Sequence, residues 1–306
     1  MPLSNTLDVM TRDRWLAKLA DLRVDRSRGP APHKPLLLLG VLARLDEGEA
    51  LPALLPLTPE LAFRFQTLWA VVAHRRPQRP DVRMPFHHLE SDGVWAPLLA
   101  DGTPSPHRGQ TRMAAVDPDF AAFAADPVNR TDAKRVLVRT YFTPVEQVAL
   151  AELVGLPTAD AGDTGVDPVL VEQVVQKGRE ARFRLRVVAA YEYTCALTGY
   201  RLTTVDGATI VDAAHIHRFA DSGNNDPRNG LALCKNAQWM FDEGLWTLAD
   251  DLTVEVRDEK FAEAGPDGLR LAPYRGRRLT HLPRDPTYWP DPICLDWHRR
   301  NVYAAG

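Results

Sequence analysis

The chain has 306 residues and a mass of 34.1 kDa, room for two domains of ordinary size, and 45% hydrophobic with 25% charged residues is globular composition that excludes disorder. No apolar run approaches the roughly 20 residues of a membrane span, no export signal opens the chain, and three cysteines without a Cys-x-x-Cys pair fit a reducing cytoplasm; a cytoplasmic protein with no membrane contact is expected. A net charge of −3 does not itself point to nucleic acid, but basic clusters stand at Arg23/Arg26/Arg28, Arg75/Arg76/Arg79/Arg83, Lys177/Arg179/Arg182/Arg184/Arg186 and Arg275/Arg277/Arg278.

Residues 11–22 place Trp15, Leu16, Leu19 and Leu22 on one helical face with charges opposite. Residues 25–32, rich in Arg, Gly and Pro, form a loop. From His33 an almost uninterrupted apolar run with Pro35 in its first turn predicts a helix buried around most of its circumference. A second apolar helix is predicted at 59–73, where Leu61, Phe65, Leu68, Trp69 and Val72 recur at helical spacing. After a basic, proline-punctuated loop, residues 84–89 and 94–98, joined through Glu90-Ser91-Asp92-Gly93, predict a β-hairpin. Between 101 and 130 no element stands out. Thr143-Pro144-Val145-Glu146 is a capping box with proline at the first helical position, opening a helix to about Val154. The small, polar, glycine-rich stretch 155–167 predicts a linker between domains at 1–154 and 168–306. Asp167-Pro168 restarts a helix that carries the Lys177–Arg186 cluster, packs through Phe183, Leu185, Val187 and Val188, and ends near Tyr191.

Further on, residues 208–211 are β-branched and suit a strand that delivers His215 to its end. A polar loop follows, then Asn229-Gly230-Leu231, a short helix over 235–244 stopped by Gly244, and a strand near 252–256. Hydrolysis of a phosphodiester needs a base for water and a divalent cation to neutralise developing charge. Histidine suits the first role. An asparagine carbonyl can orient that imidazole or ligate a hard cation, and a His or Asp on the next helix can complete the metal shell. Asp212 lies three residues before His215 and points to the opposite face of a regular strand. Cys195 and Cys234 are half of a zinc set with no second pair, so they read as small buried hydrophobes.

The segments Cys195-Ala196-Leu197-Thr198-Gly199, Asp212-Ala213-Ala214-His215-Ile216, Asn229-Gly230-Leu231 and Phe241-Asp242-Glu243-Gly244-Leu245, in that order and spacing, resemble the HNH (ββα-metal) endonucleases. The resemblance implies that His215 is the general base and Asn229 the central asparagine. The third position of the motif, ordinarily a metal-ligating histidine, is Gln238. The candidate metal ligands are Asp212, Asn229 and Gln238, with His217 and Asp242 as substitutes and Asp242 equally a structural carboxylate, around a divalent cation, Mg²⁺ or Mn²⁺. Glutamine is a neutral oxygen donor and cannot titrate. Upstream, Pro32-His33-Lys34-Pro35-Leu36, then Pro85-Phe86-His87-His88-Leu89, then Asp92-Gly93-Val94-Trp95 resemble the sulfur-binding domain of phosphorothioate-dependent restriction endonucleases, over about residues 8–150. That resemblance implies a pocket of His33, Lys34, Met84, Pro85 and His88, with Arg26, Arg28, Arg79, Arg83 and Arg108 at its rim. The expectation is an α+β protein in which a helical/mixed DNA reader precedes a ββα-metal domain. It would act as a type IV-like restriction endonuclease on double-stranded DNA carrying phosphorothioate linkages, cutting both strands as a homodimer. The alternative is a modified-DNA-binding protein whose cleavage is impaired by Gln238.

Overall fold

The computed structural model describes residues 3–75, 80–157, 168–266 and 269–304, without the side chains of 3–9, 75 and 170. The fold is α+β, in two compact units: Met1–Ala181 with Val205–Gly207, and Arg182–Thr204 with Ala208–Gly306. The expected linker falls, from residue 158 to 167, outside the described residues.

The first unit is built around α2 (His33–Asp46), whose Leu36, Leu37, Leu38, Leu39 and Leu42 are completely buried. Helices α3 (Pro59–Val72), α4 (Arg83–His88), α5 (Pro118–Ala125), α6 (Pro127–Tyr141) and α7 (Pro144–Val154) all pack against it. The amphipathic face of α1 (Leu3–Ala20) buries Trp15 and Leu19, with Trp15 packed on Phe120 at 5.1 Å between ring centroids. The predicted capping box of α7 is present: Glu146 accepts from the Thr143 N–H at 2.9 Å, and Gly155 ends the helix in the left-handed region at φ 70°.

The predicted hairpin at 84–98 is half wrong. Residues 84–88 are helical in α4, a 3-10 turn follows at Leu89–Asp92, and Gly93 closes it at φ 63°. A six-residue stretch does not distinguish strand from helix; Pro85, tolerated in a first turn, and the left-handed Gly93 decide for helix and cap. The second strand exists as β2 (Trp95–Leu98), but its partner is β3 (Met113–Val116), which also pairs with β1 (Leu54–Pro56) in an antiparallel sheet of order β1-β3-β2. The region without predicted elements thus holds β3 and the starts of α5 and α6. Asp117 and Asp126 cap those helices through Phe120 N and Val128 N, each ahead of a proline.

The second unit begins within α8 (Pro168–Ala190), whose Phe183, Leu185, Val187 and Val188 are buried as expected. Strands β4 (Val211–His215) and β5 (Gly230–Cys234) form an antiparallel pair, enclosing the short α9 (Phe219–Ser222), and α10 (Lys235–Asp242) follows directly. Strand β4 lies later than predicted. Residues 208–210, with the β-branched Thr209 and Ile210, make only an isolated bridge, Thr203 to Thr209, whereas the alanines of 213–214 pair with Ala232 and Leu231. Cross-strand pairing outweighs propensity here. A second hairpin, β6 (Trp246–Leu248) and β7 (Val254–Val256), and α11 (Pro292–His298) complete the unit.

Candidate functional site

His215 is the last residue of β4, and its register partner is Gly230. A Cβ at Gly230 would come within 2.5 Å of Val187 and 2.9 Å of Phe183. The bare backbone lets α8 lie close against β5, and the Phe183 ring then stacks on the His215 imidazole, centroids 3.9 Å apart and planes 7° from parallel. On its edge, His215 Nε2 meets Asn225 Oδ1 at 3.0 Å. An amide oxygen only accepts, so Nε2 carries the proton and Nδ1 is the basic nitrogen. Ring plane and tautomer are both set. Asn225 was not singled out in the sequence, where it is one polar residue among many in the loop 217–228.

Asn229 is completely buried. Its Oδ1 accepts from the His217 N–H at 2.7 Å, and its Nδ2 donates to the carbonyls of His217 at 2.9 Å and Asn224 at 3.0 Å. It clamps both ends of the loop that contains Asn225, and so orients the base at one remove. Asp212 is drawn elsewhere: Oδ1 accepts from Arg184 at 2.7 Å, and Lys235 lies 3.4 Å from Oδ2. Burial raises its carboxyl pKa, but Arg184, the Ala213 N–H and Lys235 outweigh burial and hold it below the usual carboxylate range. His217 stacks on Trp297 at 4.1 Å.

Gln238 and Asp242 lie one turn apart on α10. Burial pushes the Asp242 carboxyl up, partly opposed by Arg218. Gln238 Oε1 is buried and has no hydrogen-bond partner among the described residues. A buried carbonyl oxygen lacking a donor needs an explanation, and a cation is one. Together with the neighbouring carboxylate it offers the hard oxygen ligands that Mg²⁺ and Mn²⁺ prefer. Among the described residues no three His, Cys, Asp or Glu side chains gather into a metal-binding group. Cys195 and Cys234 sit with sulfurs 3.7 Å apart, and the contact between them holds the Cys195 thiol below its ordinary range and Cys234 above it.

In the first unit, a cavity of about 550 Å³ is lined by Arg23, Val24, Asp25, Ala31, His33, Lys34, Met84, His88 and Ser91. Four of the five expected pocket residues therefore line one cavity. Pro85 does not; it is buried in the first turn of α4. The Lys34 ammonium is spoken for by the Arg23 carbonyl at 2.8 Å, Ser91 at 2.9 Å and Asp92 at 2.6 Å, and holds the cavity wall together. Burial first, then His87, Lys34 and Arg108, pushes His88 below its ordinary pKa, so it presents a neutral imidazole. Arg26, Arg28 and Arg108 are exposed, with Arg26 3.6 Å from Asp21. Arg83 opens α4, and Arg79 lies outside the described residues. Arg23 and Ser91 were missed as wall residues, although Arg23 heads the first basic cluster.

A histidine at the end of a strand, a buried asparagine on the return, and side-chain oxygens on the next helix define a ββα nuclease-type domain, and the first unit a separate, largely helical one. Comparison with known proteins gives both a family. Residues 12–159 match the ScoMcrA-like DNA sulfur-binding domain and residues 195–249 the HNH endonuclease, so the chain carries a DNA sulfur-binding domain of that family followed by an HNH endonuclease domain. HNH domains generally use a divalent metal. A solved structure described as a modification dependent TagI restriction endonuclease is 21% identical over 41% of this chain, with a TM-score of 0.30, and the match spans 40% of that protein's length. No curated protein matches the chain. Among the described residues no helix is long and apolar enough to cross a membrane.

Proposed function

We propose that the protein is a restriction endonuclease that binds double-stranded DNA through a phosphorothioate linkage and hydrolyses a phosphodiester nearby, in the cytoplasm and as a homodimer when both strands are cut. The observation that carries this reading is the joining, in one chain, of a sulfur-binding-domain match to an HNH domain whose His215 has a set plane and tautomer. Sulfur in place of a non-bridging oxygen is larger and less strongly hydrated, so a cavity walled by the Met84 side chain, a neutral His88 and the Ala31 methyl gains more by enclosing it. Arginines around that wall suit the flanking phosphates.

In the HNH domain, Nδ1 of His215 would take a proton from water as the water oxygen bonds phosphorus and one ester P–O bond breaks. Phe183 and Asn225 keep that nitrogen aimed through the step. Gln238 and Asp242 would hold a Mg²⁺ or Mn²⁺ ion, which supplies neutralisation of charge on the phosphate and leaving oxygen. The test is binding and cleavage of a hemi-phosphorothioate duplex against its ordinary counterpart, in Mg²⁺ and in Mn²⁺. Preferential binding with cleavage supports the proposal; equal affinity for the two duplexes sinks the sulfur reading, and preferential binding without cleavage in either ion leaves a reader alone.

A further inference from the structure

Six of the seven tryptophans are buried or half-buried, while Trp239 is 60% exposed. A single exposed apolar side chain is ordinary, so what matters here is where the exposed ring stands. Its place in α10 is specific: it directly follows Gln238, stands one turn beyond Lys235 and comes three residues before Asp242. Lys235, Asn236 and Trp239 are all exposed, so the helix that carries the two oxygen ligands also presents a cation and an aromatic ring to solvent. A cation with an adjacent aromatic is the pairing that tracks a nucleic-acid backbone while stacking on its bases. Residues three and four apart are neighbours on a helix surface, so Lys235, Trp239 and Asp242 share one face of α10. A nucleotide whose phosphate lies beside Asp242 therefore has the indole next to it.

We propose that Trp239 is a DNA-stacking residue of the HNH domain, its indole lying against a base or deoxyribose next to the scissile phosphate. The inference rests on the DNA-cleaving reading of that domain, and not on the sulfur preference. Stacking holds the nucleotide in place without neutralising a phosphate, so its signature is a loss of affinity with no change in salt dependence.

The experiment titrates the full chain, without divalent metal, into labelled modified and ordinary duplexes at several salt concentrations. Wild type is compared with Trp239→Ala and Trp239→Phe, and acrylamide quenching of tryptophan fluorescence is read alongside. Removing one aromatic platform typically weakens binding about ten-fold or more. Trp239→Ala should lose that much on both duplexes, with the salt slope and the sulfur preference unchanged, and Trp239→Phe should keep most of the affinity. Bound duplex should abolish the quenchable signal that separates wild type from Trp239→Phe. Wild-type affinity in Trp239→Ala, a Trp239 as quenchable in the complex as in free protein, or protection that follows protein concentration without DNA would overturn the proposal. Equal affinity for the two duplexes with Trp239 still protected would remove the sulfur reading and leave this inference standing. Failure to bind either duplex would remove both.

Discussion

Replacing Asn229 by alanine separates a residue that holds the site together from one that ligates metal. The side chain makes three hydrogen bonds to main-chain groups, at 2.7, 2.9 and 3.0 Å, and is 0% exposed. Each such bond contributes a net ~0.5–1.5 kcal/mol, and a buried partner left bare costs more. Alanine returns none of them, so the HNH domain should lose about 2–4 kcal/mol. With a urea slope of ~1–3 kcal/mol/M, that is a midpoint shift of about 1 M or more. Urea unfolding followed by far-UV circular dichroism reads it, and hydrogen exchange should show the His217 amide opening along with it. Cleavage should fall too, because Asn225 sits in the loop that Asn229 clamps. An unchanged midpoint and unchanged exchange at His217, with cleavage lost, would refute the reasoning and make Asn229 a ligand or a participant in the chemistry.

His298, 2% exposed between Thr247 and the Phe241 carbonyl, has its pKa pushed by burial to about 4 from an ordinary 6.5. The unfolded chain therefore binds the extra proton between those values, so stability is complete above pH 6.5 and is lost, by up to about 3 kcal/mol, as pH falls toward 4. His298→Gln should flatten that limb of urea midpoints measured from pH 7 to 4.5, and an equally steep limb in the variant would contradict it. Lys34→Ala leaves the Asp92 carboxylate, whose side chain is 4% exposed, buried without its partner, and should destabilise the reader by about 3–5 kcal/mol in thermal unfolding. The double change Lys34→Met with Asp92→Leu should recover most of that, and additive losses would show that the pair is not the cause. Gln238→His should raise the ratio of cleavage rates in Mn²⁺ over Mg²⁺ by about ten-fold, since imidazole favours the transition ion. An unchanged ratio would place Gln238 outside the metal shell.

Much of this architecture is legible residue by residue. Thr143-Pro144-Val145-Glu146 names both ends of a hydrogen-bonded box, and the box is present. The run after His33 is apolar on every face, and the helix is buried on nearly every face. Failures come where the signal is pairing and not propensity. Residues 84–89 are too short a stretch to show a helical period and close on themselves as helix, and β3 had no local mark because its partners lie at 54–56 and 95–98. Asp117-Pro118 and Asp126-Pro127 are start signals of the same kind as Asp167-Pro168 and were readable. The site divides the same way. His215, Asn229 and Gln238 follow from motif spacing, whereas the part Asn229 plays as a buried clamp, and Gly230 as the residue small enough to let Phe183 reach the imidazole, shows only in the fold. Nothing in the sequence distinguishes Asn225 from Asn224; only the folded loop hands one of them to His215.

On the proposed function, the exchange of imidazole for amide at Gln238 bears on selectivity as well as rate. A cut occurs only if hydrolysis outruns dissociation, so a slow site acts on DNA held for long and spares DNA that leaves quickly. An ordinary duplex is held only through its phosphates, and such contacts are weakened by salt, so it should dissociate faster than a sulfur-anchored one at physiological salt. A duplex anchored through its sulfur stays, and tethering turns the HNH encounter into an intramolecular one that repeats until the bond breaks. Weaker ligation at Gln238 then lowers both rates of hydrolysis equally but removes cleavage chiefly from the short-lived complex. Speeding the chemistry, as Gln238→His should in Mn²⁺, is expected to erode discrimination in cleavage while leaving discrimination in binding untouched. Measuring both ratios on one pair of duplexes decides it: if the cleavage ratio moves only in step with the binding ratio, dwell time plays no part in choosing the substrate.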